Sequence, residues 1–329
     1  MNIKTLICLL PVLASACNSQ LVPGDYAGRE LIEFSLDCSS VQVSKATSSG
    51  AENVLSNVQI AVYSPAGFLC ASGRMSAGSL SLSVPVESAG YTVAALVNSP
   101  ENLEGYSSAS SLSGIKSSLL DNTDANALEM YGVASNVTFH KGETCTVPVT
   151  RFAAKVEIDK IVNMIPTKPE FILKGIYLIN VNTASDVSGN ATSPVWYQKR
   201  RFASSETNVV KYTSDIFTSN LAYGASYSTP HYFYCYANPT TVDTSSPTWS
   251  PRFTRLVVEA TYNGITYYYP VNIVGSQNTL ESATSYIITQ MTVTGPGSTD
   301  PDVPISKGNA SFSITVKDWL TGFSQTVTY

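Results

Sequence analysis

Charge is scarce in this sequence, and residues that carry chemistry are scarcer. Charged residues make up 13% of the 329, against 43% hydrophobic, and the net charge is −5. A nucleic-acid partner needs a concentrated basic face. The one compact basic cluster, Lys199-Arg200-Arg201, is too short for that and reads as a solvated loop. The two histidines, His140 and His231, have no acidic or cysteine neighbour in a known motif and read as structural. No GxSxG, HExxH, Walker or dinucleotide fingerprint is present, and the six cysteines include no CxxC pair. Asp300, Asp302 and Asp318 lack the dense ligand spacing of a calcium loop. No catalytic residue, metal site, cofactor or nucleic-acid partner is therefore predicted. Beyond the N-terminus, no run approaches the roughly 18 consecutive apolar residues of a membrane span.

What is present begins at the N-terminus. Lys4 supplies a positive n-region, Leu6 to Leu13 a short apolar h-region, and Ala14-Ser15-Ala16 the small residues of a cleavage site. Cys17 follows directly, which resembles a bacterial lipoprotein signal: residues 1–16 would be removed and Cys17 would take the lipid. Leu13 stands one place further from the cysteine than in the usual pattern. With Cys8 lost and Cys17 lipidated, Cys38, Cys70, Cys145 and Cys235 remain. They read as buried free thiols, with one disulfide as the alternative.

From residue 30 onward the hydrophobic period is two. Ile32, Phe34, Leu36 and Cys38 alternate with Glu33, Ser35 and Asp37. Val58, Ile60 and Val62 repeat the pattern, as do Leu80, Leu82, Val84 and Val86, and Tyr91 to Val97 is nearly continuous. Further strands are predicted at Val147–Ile158, Ile176–Val181, Tyr232–Tyr236, Leu256–Tyr262, Ile265–Val274 and Tyr286–Val293. Asn263-Gly264 has the form of a two-residue hairpin turn. Only Leu112 to Met130 has room for a helical turn or two. Short strands separated by turns imply an all-β protein of two β-sandwiches in tandem, dividing near Thr150. Ser/Thr-rich stretches at Asp186–Pro194 and Thr240–Pro251 read as long surface loops.

Several segments taken together resemble the fimbrillins, the type V pilins of Bacteroidetes. These are Asn57–Tyr63 followed by Gly67, Gly90–Pro100, Arg151–Val156, and the C-terminal run from Tyr286 through Thr292–Gly297, Asp300-Pro301 and Thr315–Trp319. The resemblance implies transthyretin-like sandwiches and a lipidated propeptide over residues 17–45. An N-terminal domain would span 46–150 and a C-terminal domain 151–329, ending in donor strands at about 309–329. It also implies strand donation between subunits of a homopolymer. Ile32, Phe34, Leu36 and Cys38 would form a removable placeholder strand, freed by a protease. Lys45 stands where the family has arginine, ahead of Ala46, so cleavage there and no cleavage both stay open; Arg29 would leave the placeholder attached.

The donor would come from the far end. Phe312, Ile314 and Val316 alternate with polar residues, and Trp319, Phe323, Val327 and Tyr329 follow. Burying three or four such side chains contributes a gross ~5–12 kcal/mol, and ladder bonds add register. The same strands could instead complete the chain's own sandwich. The resemblance places the protein at the cell surface, in a fimbrium, with an outer-membrane-anchored precursor and a role in adhesion or biofilm formation. Host or bacterial surface receptors would be further partners. A lipid-retaining anchor subunit is one alternative; another is a monomeric lipoprotein binding glycans or host proteins through its Tyr-rich strands, with Tyr232, Tyr234 and Tyr236 on one face and Tyr267 and Tyr269 on another.

Overall fold

A computed structural model describes residues 28–37, 55–75, 80–86, 88–118, 128–166, 170–188, 196–199, 214–243, 250–275, 277–305, 308–318 and 324–328. Almost all regular structure in them is strand, as the period-two pattern requires. The first half runs β1 (Arg29–Asp37), β2 (Val58–Tyr63), β3 (Leu69–Met75), β4 (Leu80–Pro85), β5 (Tyr91–Val97), β6 (Lys116–Ser118), β7 (Met130–Val137), β8 (Thr144–Pro148) and β9 (Thr150–Arg151). The second half runs β10 (Ala154–Ile158), β11 (Ile161–Asn163), β12 (Phe171–Ile179), β13 (Val181–Asn182), β14 (Ala184–Asp186), β15 (Trp196–Tyr197), β16 (Ser214–Leu221) and β17 (Ser226–Tyr227). It continues with β18 (His231–Cys235), β19 (Arg255–Tyr262), β20 (Ile265–Asn272), β21 (Thr284–Val293), β22 (Ala310–Asp318) and β23 (Ser324–Thr328). Two short 3₁₀ turns, Leu103–Gly105 and Ala109–Gly114, are the helical elements among the described residues.

In the first half a sheet ordered β4-β1-β8 faces one ordered β3-β2-β5-β7-β9. Ile32, Phe34, Val58, Ile60, Val62, Leu82, Val84, Val93 and Val147 fill the space between them. The other face of β2 and β5 is also covered. Ala61, Tyr63, Ala94 and Leu96 belong to the same apolar cluster as Val156, Ile288 and Leu256 of the second half, so one core runs through both halves. Gln59 is buried on that face, but its amide donates to Glu101 O (2.7 Å) and accepts from Leu103 N (3.0 Å), so the polar group is satisfied. β6 pairs with β14, and Ser117 Oγ lies 2.5 Å from Tyr236 Oη, which adds polar ties across the junction.

In the second half, β16-β12-β19-β20 forms one sheet. The other is built on β21, which runs parallel to β10 and β11 on one side and antiparallel to β22 on the other, with β23 beyond β22. Asn263 and Gly264 take φ of 52° and 76° between Tyr262 and Ile265, the left-handed pair a two-residue hairpin needs. His231 joins the edges of the two sheets. Its Nδ1 lies 2.7 Å from Asp215 Oδ2 and its Nε2 2.9 Å from Tyr227 Oη, with Phe217 stacked on the ring.

One expectation is corrected. Val147–Ile158, read as a single strand, is broken into β8, β9 and β10, which belong to three different sheets. The chain crosses from β8 to β9 directly over Gly132 of β7. A Cβ there would stand 1.8 Å from Pro148 O, and neither backbone can yield. Gly132→Ala is expected to cost about 3 kcal/mol or more in thermal or denaturant unfolding. Gly105→Ala, which faces open space, serves as the near-neutral control.

The Gly295–Pro301 segment, whose glycines and prolines predict a break between strands, also has a structural job. Tyr268 and Ser298 exchange two backbone hydrogen bonds of 2.8 Å, covering the outer edge of β20. A Cβ on Gly297 would sit 2.4 Å from Tyr268 O, so only glycine allows the approach. Covering an edge in this way removes a template for unwanted pairing.

Candidate functional site: the groove occupied by the first strand

β1 lies between two strands that do not pair with each other. Arg29 to Phe34 pair antiparallel with Pro85 to Leu80 of β4, and Glu33 to Asp37 pair parallel with Thr144 to Pro148 of β8. Alternation decides the facing: Phe34 is 0% exposed and Ile32 2%, whereas Leu31 is 72% exposed. Leu36 packs half-buried on the same core. Phe34 meets Phe139 edge-on at a centroid distance of 5.7 Å, and Phe139 leans on Tyr91 at 5.4 Å. Burying Ile32 and Phe34 contributes roughly 3–6 kcal/mol in gross terms.

Polar contacts are few and lie at the rim. The Arg29 guanidinium donates to Ser83 O (2.6 Å) and Cys70 O (3.2 Å), strapping β4 to β3. Lys141 pairs with Glu30 at 2.8 Å in an exposed position, and Ser35 Oγ faces Thr146 Oγ1 at 3.1 Å. The strand is thus held by an apolar stripe and two ladders. Loss of β1 would leave β4 and β8 with an open edge each and would uncover Val84, Leu82 and Val147.

Cys145 stands directly opposite Phe34 on β8 and faces the same core; burial pushes its thiol up to about 11. The thiol is therefore a built-in reporter of groove occupancy. Its alkylation near pH 8 is expected to speed up about tenfold or more when β1 is removed. Cys235, fully buried and pushed up to about 12, should stay silent, and a Cys38→Ser, Cys70→Ser background removes the thiol next to β1 and half-buried Cys70. A rate indifferent to β1 would mean that the groove closes by itself.

Sequence reasoning found Ile32, Phe34 and Leu36 as a strand, but it missed the parallel wall β8, the Phe139 contact and the Arg29 strap. Phe139 had no signal, because it sits outside the alternating pattern. Cys38, Cys17, Lys45 and Ala46 lie outside the described residues. At the other end, Phe312 packs half-buried against the main core. Ile314 and Val316 occupy β22 opposite Ile288 and Tyr286, and Val327 is on β23 opposite Ile314. Trp319, Phe323 and Tyr329 lie outside the described residues. Cys70, Cys145 and Cys235 are not joined to one another by a disulfide. Tyr234, Tyr236 and Tyr269 are buried in the core, so their ring faces are occupied by packing.

No family profile and no curated protein matches the sequence. Solved structures do match. A putative cell adhesion protein from Bacteroides eggerthii aligns with a TM-score of 0.63 at 17% identity, covering 92% of this chain and 98% of that one. A fimbrilin (FimA) from Porphyromonas gingivalis aligns at 0.60 and 16% identity, covering 88% and 97%. The tip fimbrial protein Mfa3 of the same species, with a C-terminal truncation, aligns at 0.54 and 12%, covering 89% and 99%. At such identities the shared property is the arrangement of strands, and it extends over nearly the full length of each partner: this chain has the fimbrillin fold.

Proposed function

We propose that the chain is a structural subunit of a cell-surface fimbria, not an enzyme, that polymerises by strand exchange and supports adhesion or biofilm formation. In this reading it is exported as a lipoprotein on Cys17, anchored in the outer membrane, and trimmed after Lys45. The trimmed subunit has an N-terminal domain of residues 46–150 and a C-terminal domain of residues 151–329. Its groove then accepts C-terminal strand from a second copy. The observation that carries the reading is the seating of β1: a strand held by two ladders, an apolar stripe and a few polar rim contacts, between two strands that do not pair with each other. A second strand of alternating pattern can replace such an occupant with no covalent bond. The likeness of fold to a fimbrilin and to a tip fimbrial protein supports the same reading.

The test is N-terminal sequencing of protein sheared from cells, together with gel analysis in mild SDS. A stalk subunit should begin at Ala46 and run as a ladder, and deletion of residues after Gly308 should abolish the ladder. Protein that keeps a lipidated Cys17 within the fibre would be an anchor subunit instead. A monomer with an intact leader in every surface copy would overturn the proposal.

A further inference from the structure

We propose that β16 is a docking edge for a second copy of this chain, the two copies joining strand to strand about a two-fold axis. The inference goes beyond the strand-exchange reading, because β16 belongs to the second half and takes no part in the groove that holds β1.

β16 closes one side of the sheet β16-β12-β19-β20 and pairs only with β12. Among the described residues no strand lies on its outer side, and no backbone group of Ser214–Leu221 bonds to backbone outside the β12 ladder. An open edge of this kind is a template for another chain. Other edges are covered or interrupted. Ser298 bridges to β20, a Phe68–Ser108 bridge flanks β3, β4 ends on Pro85, and β18 is buried along most of its length. Residues 214–221 hold no lysine, proline or glycine, the usual means of blunting an edge.

Alternation gives the strand two unlike faces. Asp215, Phe217 and Ser219 are half-buried, whereas Ile216, Thr218 and Asn220 are exposed. Ile216 is 60% exposed. Its side chain lies across Gly175 of β12, where a Cβ would meet Ile216 Cδ1 at 2.9 Å.

The occupant is a second copy because the edge is complementary to itself. A two-fold axis normal to the sheet sets two antiparallel strands side by side with residues of the same face opposed. With the axis at Phe217, each Ile216 faces a Thr218, each Asp215 a Ser219 and each Ser214 an Asn220. Opposed β-branched side chains stabilise a sheet, and like charges directly opposite would disrupt it. None meet here. The one charged side chain of the strand, Asp215, is engaged by His231 Nδ1 at 2.7 Å and faces a serine. An axis at Thr218 would set Ile216 against Asn220, whose Nδ2 already donates to Glu170 Oε1 at 2.6 Å. A single pair of strands buries less than a standard interface, so the contact is reversible. Repeated along a fibre, it would join neighbouring fibres side by side.

The test uses the untrimmed chain without lipid, its groove filled by β1. Sedimentation velocity at rising concentration should show a monomer–dimer equilibrium. Ile216→Lys should weaken dimerisation about tenfold or more and leave Tm unchanged, since the side chain is exposed. Ile265→Lys, which alters another exposed apolar residue at the start of β20, should leave dimerisation as it is. Hydrogen exchange should slow over residues 214–221 as the protein is concentrated and stay constant at Tyr268. A monomer at every concentration overturns the proposal, as does a dimer that Ile216→Lys leaves intact. Neither result involves trimming or the C-terminal tail, so strand exchange would stand in both cases. Conversely, absence of ladders from trimmed chain would leave the β16 dimer untouched.

Discussion

Phe34→Ala in the untrimmed chain is expected to lower unfolding free energy by about 3–5 kcal/mol. The ring is fully buried, and the change removes both its transfer free energy and its edge contact with Phe139. The gap lies between two strands that are joined by no ladder of their own, so the ring's place is not filled by pairing when it is lost. Leu31→Ala, three positions away on the solvent face, should stay within about 0.5 kcal/mol. Denaturant unfolding of the two variants measures the contrast, and Cys145 alkylation localises it: Phe34→Ala should accelerate labelling and Leu31→Ala should not. A loss below about 1 kcal/mol for Phe34→Ala would mean that β1 is not held by its apolar stripe. In the fibre reading, the same substitution should make the leader easier to displace, with assembly setting in earlier after trimming.

Asp302→Ala is expected to cost about 3–5 kcal/mol, because it strips a carboxylate from a fully buried guanidinium. Arg255 is 0% exposed and Asp302 3%. The remaining partner, Asp243, sits at the rim and is shared with Arg252. Removing one acid leaves two guanidiniums facing one carboxylate, and the Asn180 amide loses an acceptor. The loop carrying Ser298 should loosen with it. Hydrogen exchange at Tyr268 N–H, which bonds Ser298 O, should quicken before global unfolding. A cost under about 1 kcal/mol would show that Asp243 and Arg252 rearrange to compensate.

Both predictions turn on residues whose importance reads differently in sequence and in space. Phe34 stands in an alternating stripe, so its burial was legible from Ile32, Phe34 and Leu36 alone. Asp302 was weighed only as a calcium ligand and set aside, since nothing local ties it to Arg255, 47 positions away in the chain. Gly132 is similar. It looks like any glycine in a strand until Pro148 is found lying across it.

Alternation, the Asn263-Gly264 hairpin, the poverty of charge and an apolar stripe near each end are properties of neighbouring residues, and the sequence alone determined them. From these follow an all-β chain with an alternating strand near each end. Pairing is a different matter, because every strand offers the same donors and acceptors and a two-residue period does not say which edge it will meet. Tertiary structure decided that β1 lies parallel to β8, that Val147–Ile158 is shared among three sheets, and that one core joins the halves. It also set β22 inside a sheet and β23 at its rim. The physical reason is that ladder partners are chosen by which edges remain open and by where a missing Cβ lets two backbones meet, and both are known only once the whole chain has packed.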